Sequence, residues 1–205
     1  LPPGTEVRAS AAEISALPGV AYAEPNYLAH IEGVPNDPKF GQLWAMNNTG
    51  QTGGSPDADI DAPEAWALST GSHDIVVGII DTGIDYTHKD LAANVWTNPG
   101  EIPGNGLDDD GNGYVDDIHG WDFVNDDSDP YDDNNHGTHV SGTIGAVGNN
   151  SLGVSGVNWN VQIMALKVFD SRGSGNTADV IAALHYANVM RKDYGINVRA
   201  TNNSY

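Results

Sequence analysis

Ile75-Val76-Val77-Gly78-Ile79-Ile80, running directly into Asp81-Thr82-Gly83, is the stretch on which the fold turns. The six apolar residues have no polar residue at alternate positions. That pattern predicts a strand buried on both faces, the kind found in parallel sheets. Residues 161–169 repeat it. Between them and the end of the chain, Val180, Leu184, Ala187 and Met190 recur at helical spacing over 177–194, with Gly195 as a stop, and residues 196–201 resume a strand pattern. Strands alternating with helices imply a parallel α/β sheet, in which functional groups gather at the carboxyl ends of the strands. Upstream, Asp61-Ala62-Pro63-Glu64 reads as a helix start, with Asp61 as cap, Pro63 in the first turn and Glu64 at the capping-box position; this short helix ends at Thr70-Gly71. Residues 33–60 are rich in Gly, Pro, Asn and Thr and read as extended and irregular. Residues 11–31 are mildly amphipathic up to the turn at Pro25-Asn26-Tyr27.

The 205 residues suffice for one domain, or one domain and a fragment, and 39% hydrophobic content is too high for a disordered acidic chain. Lys and Arg number 8 against 28 Asp and Glu, a net charge of −20. This balance argues against nucleic acid and against anionic membrane as partners, and suits cations. No run approaches the length of a membrane helix. The lack of cysteine excludes disulfides, thiolate metal sites and a Cys nucleophile. The chain opens Leu1-Pro2-Pro3-Gly4, with no initiator Met or signal pattern, and stops at Asn202-Asn203-Ser204-Tyr205, just after a strand-like segment. The expectation is an internal piece of a longer protein.

Two features can carry chemistry. Asp81 follows the strand 75–80 and stands at the sheet's carboxyl edge, where Thr82 and Gly83 permit a sharp exit. A strand-end Asp making a turn is the plain alternative, and Asp-Thr-Gly also marks aspartic proteases. The second feature is His136-Gly137-Thr138-His139-Val140-Ser141-Gly142, whose small residues predict a tightly packed helix with His136 at its N-terminal end, placed as a general base. His136 and His139 could instead share a metal, but no third ligand of the zincin kind follows. His139 reads as a packing residue. His30, His73, His88, His119 and His185 have no chemical context of their own.

Taken in order, Gly78-Ile79-Ile80-Asp81-Thr82-Gly83-Ile84-Asp85 and His136-Gly137-Thr138-His139-Val140-Ser141-Gly142-Thr143 resemble the catalytic Asp and His motifs of the subtilisin-like serine proteases, thermitase-like members above all. The resemblance runs from about Pro35 to Tyr205. It implies a three-layer α/β/α sandwich with a mostly parallel sheet, incomplete here, and a serine endopeptidase acting on protein or peptide substrates. Asp81 and His136 are then two members of an Asp-His-Ser triad. The nucleophile motif Gly-Thr-Ser-x-Ala-x-Pro is nowhere in residues 1–205, and the family's oxyanion-hole Asn is not reached. The chain alone is therefore expected to be inactive. Gly173-Ser174-Gly175 resembles the edge that pairs with an extended substrate. Ser204-Tyr205 resembles the start of the opposing segment, with Tyr205 where Leu is usual beside the specificity pocket. Leu17 to Tyr27 resembles the end of a propeptide that acts as chaperone and inhibitor, and Pro35-Asn36-Asp37-Pro38 the start of a mature enzyme. The expected organisation is a propeptide tail over 1–33 and the first part of a catalytic domain over 34–205, with processing between about His30 and Val34 and secretion from the cell. A plain N-terminal extension, a catalytically dead calcium-binding module and a single Asp-Thr-Gly aspartic protease are the rival readings.

Residues 101–133 hold twelve acidic groups and no Lys or Arg. Such a segment is either a solvated loop or neutralised by hard cations, and oxygen ligands in a flexible loop favour Ca2+. Asp108-x-Asp110-x-Asn112-Gly113 has the alternating oxygens and turn glycine of an EF-hand loop. His119 stands at position twelve, so the loop is no EF-hand, though Asp116 or Asp117 can close a smaller site within an insertion at about 97–120. The family resemblance implies two more calcium sites. One uses Asp122 and Asp127, with Asn125 where Asp is usual. The other uses Asp37, Asp90 and Asn150 with the backbone carbonyls of Val147, Leu152 and Val154.

Overall fold

The run 75–80 lacks polar alternation because both of its faces are covered. The computed structural model describes residues 6–25 and 34–205. They fall into two compact units, an N-terminal one over 6–25 and the main one over 34–205.

In the N-terminal unit, α1 (Val7–Ser15) is a nine-residue helix. Pro18 disfavours helical backbone at Leu17, and Gly19 follows at φ +86°. The chain then folds back: Ser15 Oγ accepts from Ala23 N at 2.8 Å and donates to Ala23 O at 3.0 Å. The helix overlaps only the start of the amphipathic stretch 11–31, of which residues 26–31 lie outside the described residues. The expected processing segment, at about 30–34, lies almost wholly outside the described residues.

In the main unit, β1 (Gly71–Asp81), β2 (Gly120–Asp122), β3 (Asn160–Lys167) and β4 (Val198–Asn203) form one sheet in the order β2-β3-β1-β4. Every pairing is parallel. Side chains alternate between two buried layers. Val76, Ile80, Met164, Leu166 and Val198 pack with Ala183, Tyr186, Ala187 and Met190 of α4 (Thr177–Lys192). On the other face, Val77, Ile79, Val161, Ile163 and Ala165 pack with Val140 and Ile144 of α3 (His136–Gly145). Helices therefore cover both faces, and the unit is the three-layer α/β/α arrangement. Among the described residues no helix is long and apolar enough to cross a membrane.

The irregular segment is anchored by a third cluster. Phe40, Met46, Ala62 and Trp66 are buried together, with Trp66 at the end of α2 (Ala62–Trp66). The cap expected at Asp61 does not form. Asp61 is left-handed at φ +52° and makes no side-chain cap bond. Asp59 organises this corner instead, accepting from Asn48 N at 2.6 Å and Asp61 N at 2.7 Å. Strand β2 has no periodicity to announce it. It can pair because position 120 is glycine at φ +119°: a β-carbon there would lie 1.8 Å from the carbonyl oxygen of Ala165.

Ser141 is fully buried in α3, and its hydroxyl has no hydrogen-bond partner. A buried unsatisfied hydroxyl costs about 1–3 kcal/mol. Ser141→Ala should therefore raise the thermal midpoint by a few degrees, about 2–4 °C per kcal/mol for a domain of this size. A lower midpoint in thermal unfolding would show that the hydroxyl is engaged.

Candidate active site

Strands β1, β3 and β4 end on the same edge of the sheet, as parallel strands must. Asp81 closes β1, Lys167 closes β3, and Ser204-Tyr205 follow β4. Asp81 is 1% exposed. Its Oδ1 accepts from its neighbour Thr82 N at 2.7 Å and lies 2.7 Å from His136 Nδ1. Its Oδ2 is buried without a partner. His136 begins α3 and its side chain is half exposed. With Nδ1 held by the carboxylate, Nε2 is the ring nitrogen free to exchange a proton.

Close backbone approach makes this pairing possible. The first turn of α3 abuts the loop after β1, and Gly137 N donates to Thr82 Oγ1 at 2.9 Å. A β-carbon on Gly137 would stand 2.1 Å from the carbonyl oxygen of Gly83. Before it, Asn135 takes φ +88°, a left-handed turn that Asn tolerates and that aims the helix start at Asp81.

A cavity of about 210 Å³ opens here, lined by Asp81, Thr82, Asn134, His136, Phe169, Gly173, Ser204 and Tyr205. It gathers five of the sequence-predicted residues and three that sequence reasoning missed, Thr82, Asn134 and Phe169. Phe169 and Tyr205 meet edge to face at 4.8 Å. Asn134 Nδ2 donates to Ser171 O at 3.0 Å, tying the approach to His136 to the loop 170–175. Asp170 holds that loop, its Oδ1 accepting from Arg172 N and Ser174 N, both at 2.9 Å. Gly173 is required by its φ of +72°. Gly175 is required because a β-carbon would lie 2.1 Å from Val168 O and 2.6 Å from the Phe169 ring. Ser174 lies in the loop and does not line the cavity. A larger groove of about 610 Å³, lined by Trp44, Met46, Leu91 and His139 among others, includes neither Asp81 nor His136. His139 is thus an exposed groove residue rather than a packed one.

The carboxylates sort into three places. Asp37 and Asp90 are buried and meet over the loop 149–155. Asp37 accepts from Asn149 N at 2.7 Å, Asn150 N at 3.0 Å and Ser155 Oγ. Asp90 accepts from Asn150 Nδ2 at 2.8 Å and Val154 N at 2.9 Å, and its carbonyl from Val147 N at 2.9 Å. Leu152 N donates to Asn150 Oδ1 at 2.8 Å. Asp122 is buried and pairs backbone to backbone with Asp127, while its carboxylate accepts from Val124 N, Asn125 N and Asn125 Nδ2. In the acidic insertion, one carboxylate oxygen each from Glu101, Asp110 and Asp117 lie within 4.8 Å of one another. Among the described residues, no Lys, Arg or His pairs with them. Asp108 is not in this cluster: it accepts from the N–H groups of Gly111, Asn112 and Gly113. Asp116 likewise serves Gly104, Asn105 and Gly106. Asn112 directs its amide nitrogen, not its oxygen, at Asp110 and Asp117. Asp117 was one of the two residues named to close a site with Asp110, whereas Glu101 was visible as an acidic residue that nothing in its spacing marked as a partner. His136 and His139 join no such group.

The Subtilase family model matches residues 72–205. The chain belongs to the subtilase family. It is 48% identical over 120 residues to subtilisin-like protease 1 of Plasmodium falciparum (isolate 3D7), covering 58% of this chain and 17% of that protein. It is 37% identical over 171 residues to the thermophilic serine proteinase of Bacillus sp. (strain AK1), covering 83% of this chain and 34% of that protein. A protease structure from Pseudoalteromonas arctica PAMC 21717 superposes with a TM-score of 0.53 at 30% identity, over 76% of this chain and 44% of that one. The chain thus spans less than half the length of each of these proteins. The parallel sheet with helices on both faces also removes the aspartic-protease reading, which needs an all-β domain.

Replacing Gly137 by Ala should push α3 off the loop after Asp81, since the obstructing atom at 2.1 Å is backbone. The expected outcome is a loss of stability of about 1–3 kcal/mol in denaturant unfolding. An unchanged midpoint would show that α3 can shift freely at this end.

Proposed function

We propose that the chain supplies the acid–base half of a secreted serine endopeptidase that hydrolyses peptide bonds through an acyl-enzyme. The observation that carries this is the 2.7 Å contact of His136 Nδ1 with buried Asp81, at the mouth of a cavity edged by Gly173 and Tyr205. In this reading His136 Nε2 takes the proton of a serine hydroxyl as that oxygen attacks the scissile carbonyl. It then returns the proton to the leaving amine, and Asp81 holds the tautomer and stabilises the imidazolium. An extended peptide lies along 173–175, and a large apolar side chain suits the Phe169–Tyr205 corner. Serine and oxyanion donors of the family pattern do not occur in residues 1–205. The 205-residue chain is therefore inert alone. Residues 1–33 act as the tail of an inhibitory propeptide and 34–205 as part of the catalytic domain, a division and a secreted location that rest on the sequence resemblance.

The test is fluorophosphonate labelling of the native protein followed by peptide mapping. The expected result is label on a serine within a Gly-Thr-Ser-x-Ala peptide, lost in His136→Ala, and none on the 205-residue chain. Absence of labelled serine from the native protein favours the dead calcium-binding module. Serine-dependent hydrolysis by the chain alone would overturn the reading.

Calcium belongs to the same proposal. Three converging carboxylates with no basic partner fit a hard divalent cation, and Glu101, Asp110 and Asp117 would hold it. The Asp37–Asp90–Asn150 and Asp122–Asp127 pairs are further candidates. A bound ion would neutralise charge and stabilise the fold by mass action, by about 2.7 kcal/mol at a hundredfold excess over Kd. Burial raises Asp117 to about 6, although hydrogen bonds from Tyr186, Asn98 and Asn112 pull it down. A raised acid binds its proton more tightly folded than unfolded. In metal-free protein its contribution to stability is therefore lost as pH rises from about 4 to about 6, and calcium competes with that proton. Thermal melts should show calcium stabilising strongly at about pH 7.5 and much less at about pH 5. Equal shifts at both would exclude Asp117 as a ligand, and no shift with EDTA would count against calcium altogether.

A further inference from the structure

Asp132 is 6% exposed, hydrogen-bonds to neither Asp81 nor His136, and receives five hydrogen bonds. Its Oδ1 accepts from Thr82 Oγ1 at 2.8 Å and from Asn134 N and Asn135 N at 3.0 Å each. Its Oδ2 accepts from Thr138 N at 2.8 Å and Thr138 Oγ1 at 2.6 Å.

The direction of these bonds is settled by what the threonines receive. Thr82 Oγ1 accepts from Gly137 N at 2.9 Å, so its own proton goes to Asp132. Thr138 Oγ1 accepts from Asp85 N at 2.9 Å, so its proton goes there too. Two one-way relays, each running from backbone N–H through a hydroxyl, end on the two oxygens of one carboxylate. They cross: Thr82 follows Asp81 yet receives from the residue after His136, while Thr138 lies in α3 yet receives from the loop after Asp81. Asp132 also fixes the N–H of Asn135, whose φ of +88° launches α3. From the opposite side, Lys167 Nζ donates to Thr82 O at 2.6 Å and bonds Asp133 at 2.7 Å.

We propose that Asp132 is a positioning residue that locks the segment 82–85 to the first turn of α3 and thereby sets the contact between Asp81 and His136. The proposal rests on reading Asp81 and His136 as an acid–base pair. An ionised carboxylate is the only side chain of this size that accepts from both relays at once. Burial works against its ionisation, but the bonds from Thr138, Asn134 and Asn135 outweigh that and hold the carboxyl below the usual range. Asp132→Asn keeps the shape and replaces one acceptor by a donor that faces a donor.

The experiment is NMR of the histidine ring N–H protons in the 205-residue chain, with near-UV circular dichroism to report folding. The wild type should show a downfield Nδ1–H resonance from His136 that disappears in Asp81→Asn. Folded Asp132→Asn should lose or broaden it. Thr82→Val should do the same, and Thr82→Ser, which keeps the hydroxyl, should restore it. If Asp132→Asn does not fold, the Thr82 pair decides. Retention of the resonance in folded Asp132→Asn or Thr82→Val overturns the positioning role while leaving the acid–base reading intact. Retention in Asp81→Asn overturns both, because the pair itself is then not formed.

Discussion

A buried carboxylate at the end of the central strand is the constraint around which this molecule is arranged. An anion such as Asp81 is costly away from water unless donors meet it. Only Thr82 N and the His136 ring do so, and one oxygen is left bare. The packing supplies the rest. Two apolar layers bury β1 on both faces from Val76 to Ile80, and Asp81 is the polar group at the carboxyl end of that buried run. Glycine at 137 lets α3 close on it. Loss of either would leave the carboxylate with water for a partner.

The excess of negative charge has a structural use of its own. Asp59, Asp108, Asp116, Asp122, Asp132 and Asp170 each accept from backbone N–H groups of nearby loop residues. These loops have few regular hydrogen bonds, and their N–H groups still need acceptors. Aspartate, with a short stem and two oxygens, serves several at once. Few of these carboxylates need a basic partner, and only three acidic ion pairs occur among the described residues. Glu101, Asp110 and Asp117 differ in converging on one another.

Much of this was legible in the sequence, for physical reasons. Two-faced burial writes itself as uninterrupted apolar runs, so β1 and β3 could be read directly. The packed face of α4 appears at Ala187 and Met190. Asp81 alone read equally well as a strand-end turn; it stood out with His136 because the two motifs, taken in order, resemble those of the subtilisin-like proteases. What escaped depends on distant pairing. Strand β2 has three residues and exists because β3 accepts it. Asp132 looked like one of twelve acids until Thr82 and Thr138 were brought to it. Phe169 read as part of a strand, whereas β3 stops at Lys167 and frees the ring to face Tyr205. At Asp61 the capping pattern was present, but the residue is left-handed, and its own N–H, which Glu64 would take in a capping box, goes to Asp59.

The anchoring of the irregular segment bears on how the chain finds its structure. Asp37 receives hydrogen bonds from Asn150 across 113 residues and from Ser155 across 118. Closing a loop of that length carries a length-dependent entropy cost of about 4 kcal/mol. The local hydrogen bond at residue 37 is the short one from Phe40 N to Asp37 O, at 3.0 Å. The position of Asp37 therefore depends on chain that lies beyond α3 in the sequence.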